Sequence, residues 1–204
     1  DTMAIPYNII SSDDINSFEN IIDESVIKAK KIKSPVALLI KKGTFKKYGQ
    51  KNKVIKKNKM NRENALEVIL KKINENYIVV STTGKTSREI FEIRKKNNQS
   101  HKQDFLTVGS MGHCSSIAFG VALSKPNQKV LCIDGDGALL MHLGSLATIS
   151  SYKPKNFKYL LMNNKVHESV GGQDTAAKHI KLSNVIKSIT STKIYEANNL
   201  DELT

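Results

Sequence analysis

Lys129-Val130-Leu131-Cys132-Ile133-Asp134-Gly135-Asp136-Gly137-Ala138 decides the fold. Residues 130–133 are apolar without interruption, as a strand buried on both faces of a parallel sheet requires. The glycines beyond them mark a tight turn into a helix. Asn164 follows Asp136 by 28 positions and closes a second apolar run, Phe157-Lys158-Tyr159-Leu160-Leu161-Met162-Asn163-Asn164. That interval is one strand–helix–strand excursion, which brings both loops to the same sheet edge.

Working outward, strands are expected at Tyr77–Ser81, 129–133, Phe157–Met162 and 193–195, and helices near 86–96, 114–124, 138–150 and 182–190. Asn61 can cap an earlier helix that turns Ala65, Leu66, Ile69, Leu70 and Ile73 inward. The alternation predicts an α/β domain over 60–204, a doubly wound parallel sheet. Nearer the start, Ser12 or Asp13 can cap a helix over 13–33 with an apolar stripe of Ile15, Phe18, Ile21, Ile22, Val26, Ala29 and Ile32. A short strand, 36–40, follows Pro35. Residues 41–59 are lysine-rich, lack apolar periodicity and read as a linker, which leaves 1–40 as a helix and strand belonging to a second domain.

The 204 residues carry a net charge of +13, with 29 lysines but only three arginines, Arg62, Arg88 and Arg94. With 22 isoleucines and 18 asparagines beside them, the lysines read as a compositional bias spread over a solvated surface. A nucleic-acid face would bring clustered arginine interleaved with aromatics, so no nucleic-acid partner is expected. No run approaches the ~18–20 apolar residues of a membrane span. Two cysteines, Cys114 and Cys132, exclude a disulfide scaffold and a four-cysteine zinc site. Their apolar surroundings fit free thiols and a cytoplasmic protein. His101, His142 and His179 have no metal-ligand spacing, and His113 with Cys114 reads as a helix start.

In open parallel sheets ligands bind beyond the carboxyl ends of the strands, where this chain puts its glycine-rich loops: 82–87, 108–113, 134–138 and 163–172. Two motifs fail on inspection. Gly84-Lys85-Thr86 ends like a phosphate-binding Walker loop, but Val79 stands where that loop needs glycine. Asp134-Gly135-Asp136-Gly137 begins like a calcium loop, but Ala138 and Ser145 stand where its later acidic residues belong. What survives is Asp136 paired with Asn164. A carboxylate and an amide oxygen suit Mg²⁺ shared with phosphate oxygens. Glycines on both sides of Asp136, and the start of a helix, let backbone N–H groups approach a phosphate.

Gly135-Asp136-Gly137 followed by Asn163-Asn164 resembles the thiamine diphosphate motif. The resemblance extends through Thr82-Thr83-Gly84-Lys85-Thr86-Ser87-Arg88-Glu89, Val108-Gly109-Ser110-Met111-Gly112-His113 and the loop 163–173. Over roughly residues 5–200 the chain is similar to the phosphonopyruvate decarboxylase family of thiamine-diphosphate-dependent enzymes. Asp174 stands where that family has proline. The resemblance implies Mg²⁺ held by Asp136, the Asn164 side chain and the Val166 carbonyl. It implies a diphosphate cradle of Gly135, Gly137 and Ala138, closed by Thr83 and Gly84. Gly109 matches the carbonyl that receives the cofactor's amino group, and Met111 the apolar prop beneath it; a core methionine is the competing reading. His167 and Glu168 are candidates for proton handling or substrate contact, against the alternative of ordinary loop residues. Lys85, Arg88 and Lys165 are candidates for the substrate's anionic group.

The implied reaction is loss of CO₂ from 3-phosphonopyruvate, giving phosphonoacetaldehyde, with the cofactor as electron sink. Sulfopyruvate or another 2-oxo acid is the alternative within the superfamily, and a non-catalytic basic binding module the alternative outside it. The family's activating glutamate lies in a pyrimidine-binding domain, and no match to its motif occurs here. Residues 1–40 resemble that domain's tail, and the family has a further helix beyond residue 204. The expectation is a fragment of a longer chain that needs a pyrimidine-binding domain from a missing segment or a second chain. It is expected to be a homo-oligomer and inactive alone.

Overall fold

The computed structural model describes residues 3–46, 60–73 and 76–203, and the chain divides into two compact units, Asp1–Lys56 and Lys57–Thr204. Most of the segment read as a linker, 47–59, lies outside the described residues.

The first unit begins with a strand that the sequence reading missed, β1 (Tyr7–Ile10). Helix α1 (Phe18–Ile32) and strand β2 (Ala37–Ile40) follow. β1 and β2 pair in parallel, Tyr7 opposite Ala37 through Ile10 opposite Ile40, so the segment is a strand–helix–strand unit. The expected capping site was also wrong. Ser11 donates its N–H and its hydroxyl to the Asp14 carboxylate, both at 2.8 Å, which closes a separate 3₁₀ turn over Ser12–Asp14. The α-helix therefore starts only after Ser17, and Ile15 stays exposed. α1 ends with Lys33 in the left-handed region, φ 50°, its N–H returning to the Ala29 carbonyl.

The second unit opens with α2 (Arg62–Lys72), where Asn61 Oδ1 accepts from Asn64 N at 2.7 Å, the expected cap. Four parallel strands follow: β3 (Tyr77–Ser81), β4 (Asp104–Leu106), β5 (Lys129–Gly135) and β6 (Phe157–Met162), in spatial order β4-β3-β5-β6. Helices α3 (Lys85–Lys96) and α4 (Cys114–Ser124) connect the first three. The helix expected over 138–150 is two, α5 (Asp136–Met141) and α6 (Ser145–Tyr152). His142 N bonds to Leu139 O and Ser145 N to His142 O, and this turn through Gly144 breaks the run. α7 is Leu182–Ile189, and residues 193–195 form no strand.

Alternation along β3 and β5 sorts the core into two layers. Val79, Leu131 and Ile133 face Leu66 and Leu70 of α2 and Ile90 and Ile93 of α3. Val80, Val130 and Cys132 face Cys114, Ala118 and Ala122 of α4. Helices thus cover both faces, the doubly wound arrangement that the sequence implies. The winding reverses between β3 and β5, so the crevice for a ligand opens at their carboxyl ends. At the opposite, amino-terminal rim, Asn156 Nδ2 donates to the carbonyls of Ala122, Lys125 and Gln128 at 3.0, 3.0 and 2.8 Å.

Candidate active site

Four loops meet at the carboxyl edge, one from each strand. The turn after β3 is fixed from beneath by hydroxyls. Ser87 Oγ donates to Thr82 O at 2.7 Å and contacts Ser81 Oγ, while Thr107 Oγ1 donates to Ser81 O at 2.7 Å. Thr83 and Gly84 are thereby held at the head of α3. Gly84 has φ +98°, a conformation that favours glycine, and a Cβ there would stand 2.7 Å from Ser169 Oγ, so the Ser169 hydroxyl would have to turn away from it. The loop after β4 carries Gly109 and Met111. Its Gly112 lies against α5, where a Cβ would meet His142 Cδ2 at 2.5 Å and the Ala138 carbonyl at 3.0 Å.

β5 delivers the Gly-Asp-Gly turn. Gly135 pairs with Met162 in register, so Asp136 and Asn163-Asn164 leave adjacent strands at matched positions. Asp136, 3 % exposed, accepts a hydrogen bond from the Thr175 hydroxyl. Its other oxygen takes no hydrogen bond among the described residues. Beyond Asn164 the chain folds into a small antiparallel hairpin, β7 (Val166–His167) with β8 (Gln173–Asp174), and Thr175 N closes it on Lys165 O at 2.9 Å. The hairpin lays His167 on the turn, and a Cβ at Gly137 would come within 2.6 Å of His167 Cε1. Gly137, Leu140, Met141, His167, Thr175 and Ala176 line a cleft of about 230 Å³ there.

Asn164 Oδ1 accepts from Val166 N at 3.2 Å, and Asn164 Nδ2 approaches Glu168 Oε2 at 3.4 Å. Glu168 is ion-paired on both oxygens, to Lys85 at 2.9 Å and Arg62 at 2.6 Å. The hydrogen bond from Lys85, and then that from Arg62, hold its carboxyl below the ordinary glutamate value. At neutral pH it is therefore a carboxylate held by two cations, an arrangement unsuited to donating a proton.

Thr83, Gly84, Gly109, Met111, Gly135, Asp136, Gly137, Ala138, Asn164, Val166, His167 and Glu168 all lie on these loops or the first turn of α5. Direct contacts join Gly137 to His167, and Asn164 to Val166 and Glu168. Sequence reasoning missed Thr175 and Arg62, whose partners are far away in the chain. It also missed Asp134, a fully buried carboxyl that accepts from Tyr159 Oη at 2.8 Å and Gly135 N at 2.9 Å. Burial pushes the Asp134 carboxyl up, and burial beside Asp134 pushes the Tyr159 phenol up. An acid directly after four apolar strand residues was the available signal.

Among the described residues no three His, Cys, Asp or Glu side chains gather as a metal cluster. A cation at this edge would rest on Asp136 with amide and carbonyl oxygens. That donor set fits Mg²⁺, since Asp136 has one oxygen uncommitted and an amide oxygen keeps a second lone pair beside its bond to Val166 N. The first-turn N–H groups of α5 have no intrahelical acceptor, which leaves donors for phosphate oxygens.

A loop edge of this kind defines a class. Residues 82–199 match the family model for the thiamine pyrophosphate enzyme, C-terminal TPP binding domain, and the chain belongs to that family. Among its relatives, phosphonopyruvate decarboxylase of Streptomyces hygroscopicus is 40 % identical over 140 residues, 69 % of this chain and 33 % of that protein. Sulfopyruvate decarboxylase subunit beta of Methanococcus maripaludis is 38 % identical over 129 residues, 63 % of this chain and 66 % of that subunit. The matched segment thus spans a third of the first relative. The crystal structure of benzoylformate decarboxylase from Polynucleobacter necessarius has a TM-score of 0.58, covering 78 % of this chain and 31 % of that one at 17 % identity, a likeness of fold. No helix among the described residues is long and apolar enough to cross a membrane.

Proposed function

We propose that residues 60–204 are the diphosphate-binding domain of a decarboxylase that uses thiamine diphosphate and Mg²⁺ on an acidic 2-oxo acid, first of all 3-phosphonopyruvate. Asp136, Asn164 and the Val166 carbonyl hold the metal. Backbone groups of Gly135, Gly137 and Ala138, with Thr83 and Gly84, hold the diphosphate. Gly109 and Met111 support the rest of the cofactor. The bound cofactor supplies an electron sink for the loss of CO₂. His167, against Gly137 at the cleft, contacts substrate, and Glu168 orders the loop rather than moving a proton. Residues 1–40 belong to a pyrimidine-binding domain, completed by a missing segment or a second chain.

The observation that carries this reading is the register of β5 and β6, which aligns the Asp136 turn with Asn164, together with Thr175 fixing one Asp136 oxygen. Loop 163–173 and the phosphonopyruvate decarboxylase relative favour the phosphonate. Sulfopyruvate is the second reading, favoured by a relative that is itself a separate subunit. Two measurements test the proposal. Calorimetry of thiamine diphosphate with Mg²⁺ should show binding that Asp136→Ala abolishes with the fold kept. The protein assembled with its pyrimidine-binding domain should have at least a tenfold higher kcat/KM for 3-phosphonopyruvate than for sulfopyruvate or pyruvate. Equal kcat/KM for sulfopyruvate moves the assignment to the second reading, and unchanged affinity in Asp136→Ala refutes the metal site.

A further inference from the structure

Arg62 is one of three arginines among 32 basic residues, and no motif marks it. In the fold it uses three nitrogens. Nε and Nη2 each donate to Glu89 at 2.7 Å, a two-pronged pair that a planar guanidinium makes and an ammonium cannot. Nη1 donates to Glu168 Oε2 at 2.6 Å. Lys85 Nζ binds the other oxygen of Glu168 at 2.9 Å, and Lys85 N donates to Ser169 Oγ at 3.2 Å. Arg62 opens α2 and Lys85 opens α3 directly after β3, whereas Glu168 and Ser169 follow β6. In the sheet β5 stands between β3 and β6. These bonds therefore strap the loop after β6 to α2 and α3 across the carboxyl end of β5, where the Gly-Asp-Gly turn lies.

We propose that Arg62 is a positioning residue: locked to α3 through Glu89, it fixes Glu168 and with it the segment that carries Asn164, Val166 and His167. Glu168 is the keeper of the strap and Lys85 its second anchor. The idea rests on the proposed cofactor site only for what the segment is positioned to do. The strap itself is a property of the free protein, and so is the first readout.

The test compares the 204-residue chain with Arg62→Lys and Glu168→Gln. Lys71→Ala, which removes a helix-surface pair with Glu67, is the control. Hydrogen exchange without cofactor is expected to quicken at least tenfold in 165–172 for both variants, with the β3 and β5 amides unchanged and the control like wild type. Arg62→Lys keeps the charge, so its failure to protect the loop marks the need for the fork. With the pyrimidine-binding domain supplied, calorimetry with Mg²⁺ and thiamine diphosphate is expected to show affinity lower by roughly 10–100-fold, as when outer partners of metal ligands are lost. Unchanged exchange in 165–172 overturns the proposal, and so does quickening spread evenly over the chain. A loosened loop with wild-type cofactor affinity overturns the positioning role. A wild-type protein that binds no cofactor even with the pyrimidine-binding domain supplied refutes the site reading, and the exchange data then decide the strap by themselves.

Discussion

Gly137→Ala should separate stability from ligand binding. A Cβ at Gly137 would lie 2.6 Å from His167 Cε1, 3.0 Å from His167 Nδ1 and 3.3 Å from Thr175 Cγ2. Carbon atoms in contact sit about 3.5–4.0 Å apart, so the ring must retreat by roughly 1 Å. Overpacking of this sort costs about 1–3 kcal/mol. Alanine in a helix gains about 1 kcal/mol over glycine, and Gly137 lies within α5. The two effects leave a net loss of roughly 0–2 kcal/mol, a fall in Tm of no more than about 8 °C at ~2–4 °C per kcal/mol for a chain of this size. The displaced groups are another matter. Thr175 orients Asp136 and His167 covers the turn, so affinity for thiamine diphosphate with Mg²⁺ should fall at least tenfold. Scanning calorimetry gives the first quantity, titration calorimetry the second, and imidazole NMR signals report the His167 shift. Gly120→Ala is the comparison: it lies in α4 with nothing within 4 Å of the added carbon, so it should stabilise by about 0.5–1 kcal/mol and leave binding alone. A Gly137→Ala protein with wild-type affinity and an unmoved His167 would refute the cradle geometry.

Thr175→Val keeps shape and removes the hydroxyl that Asp136 accepts from; the lost bond to a buried carboxylate should cost about 1.5–3 kcal/mol in thermal melts and weaken Mg²⁺ binding in titrations. Asn61→Ala removes the α2 cap and should cost about 0.5–2 kcal/mol by denaturant unfolding, with m unchanged. The Ser11 N–H, followed by the Ser11 hydroxyl, holds the Asp14 carboxyl below its ordinary value. A lowered folded value means that the turn's contribution is present above about 3.9 and is lost as pH falls through the folded value; a carboxyl titration by NMR with an Asp14 midpoint at or above 3.9 would contradict it.

Strands built on apolar runs announced themselves. Tyr77–Ser81, in the middle of the sheet, and Phe157–Met162, at its half-buried edge, both have the bounds expected from those runs. β4 did not, since it has three residues and starts with Asp104, whose burial depends on Arg94 of α3, 2.7 Å away. β1 is four residues long, too short for period-two alternation to stand out. Lys193, Ile194 and Tyr195 show the limit of composition: strand-like residues, but Tyr195 is 85 % exposed. At the site the Gly-Asp-Gly turn was legible as a local pattern, although what excludes a side chain at Gly137 is His167 and Thr175, far along the chain. Thr175 and Arg62 were not legible. Each owes its role to a partner brought close by the fold, and a hydroxyl or guanidinium looks the same with or without one.

Asn156 has a bearing on how this protein could be rebuilt. One side-chain amide draws three carbonyls, at the end of α4 and in the turn that leads into β5, onto the start of β6. The rim remote from the loops is thus stitched by a group that takes no part in chemistry. Loops at the other rim can be altered without touching that stitch, so a library that keeps Gly109, Met111, Asn164, Val166 and Glu168 and varies the other positions of 108–113 and 163–173 would work on a chassis whose strand order is secured elsewhere. Asn156 itself is the residue such a library should leave alone.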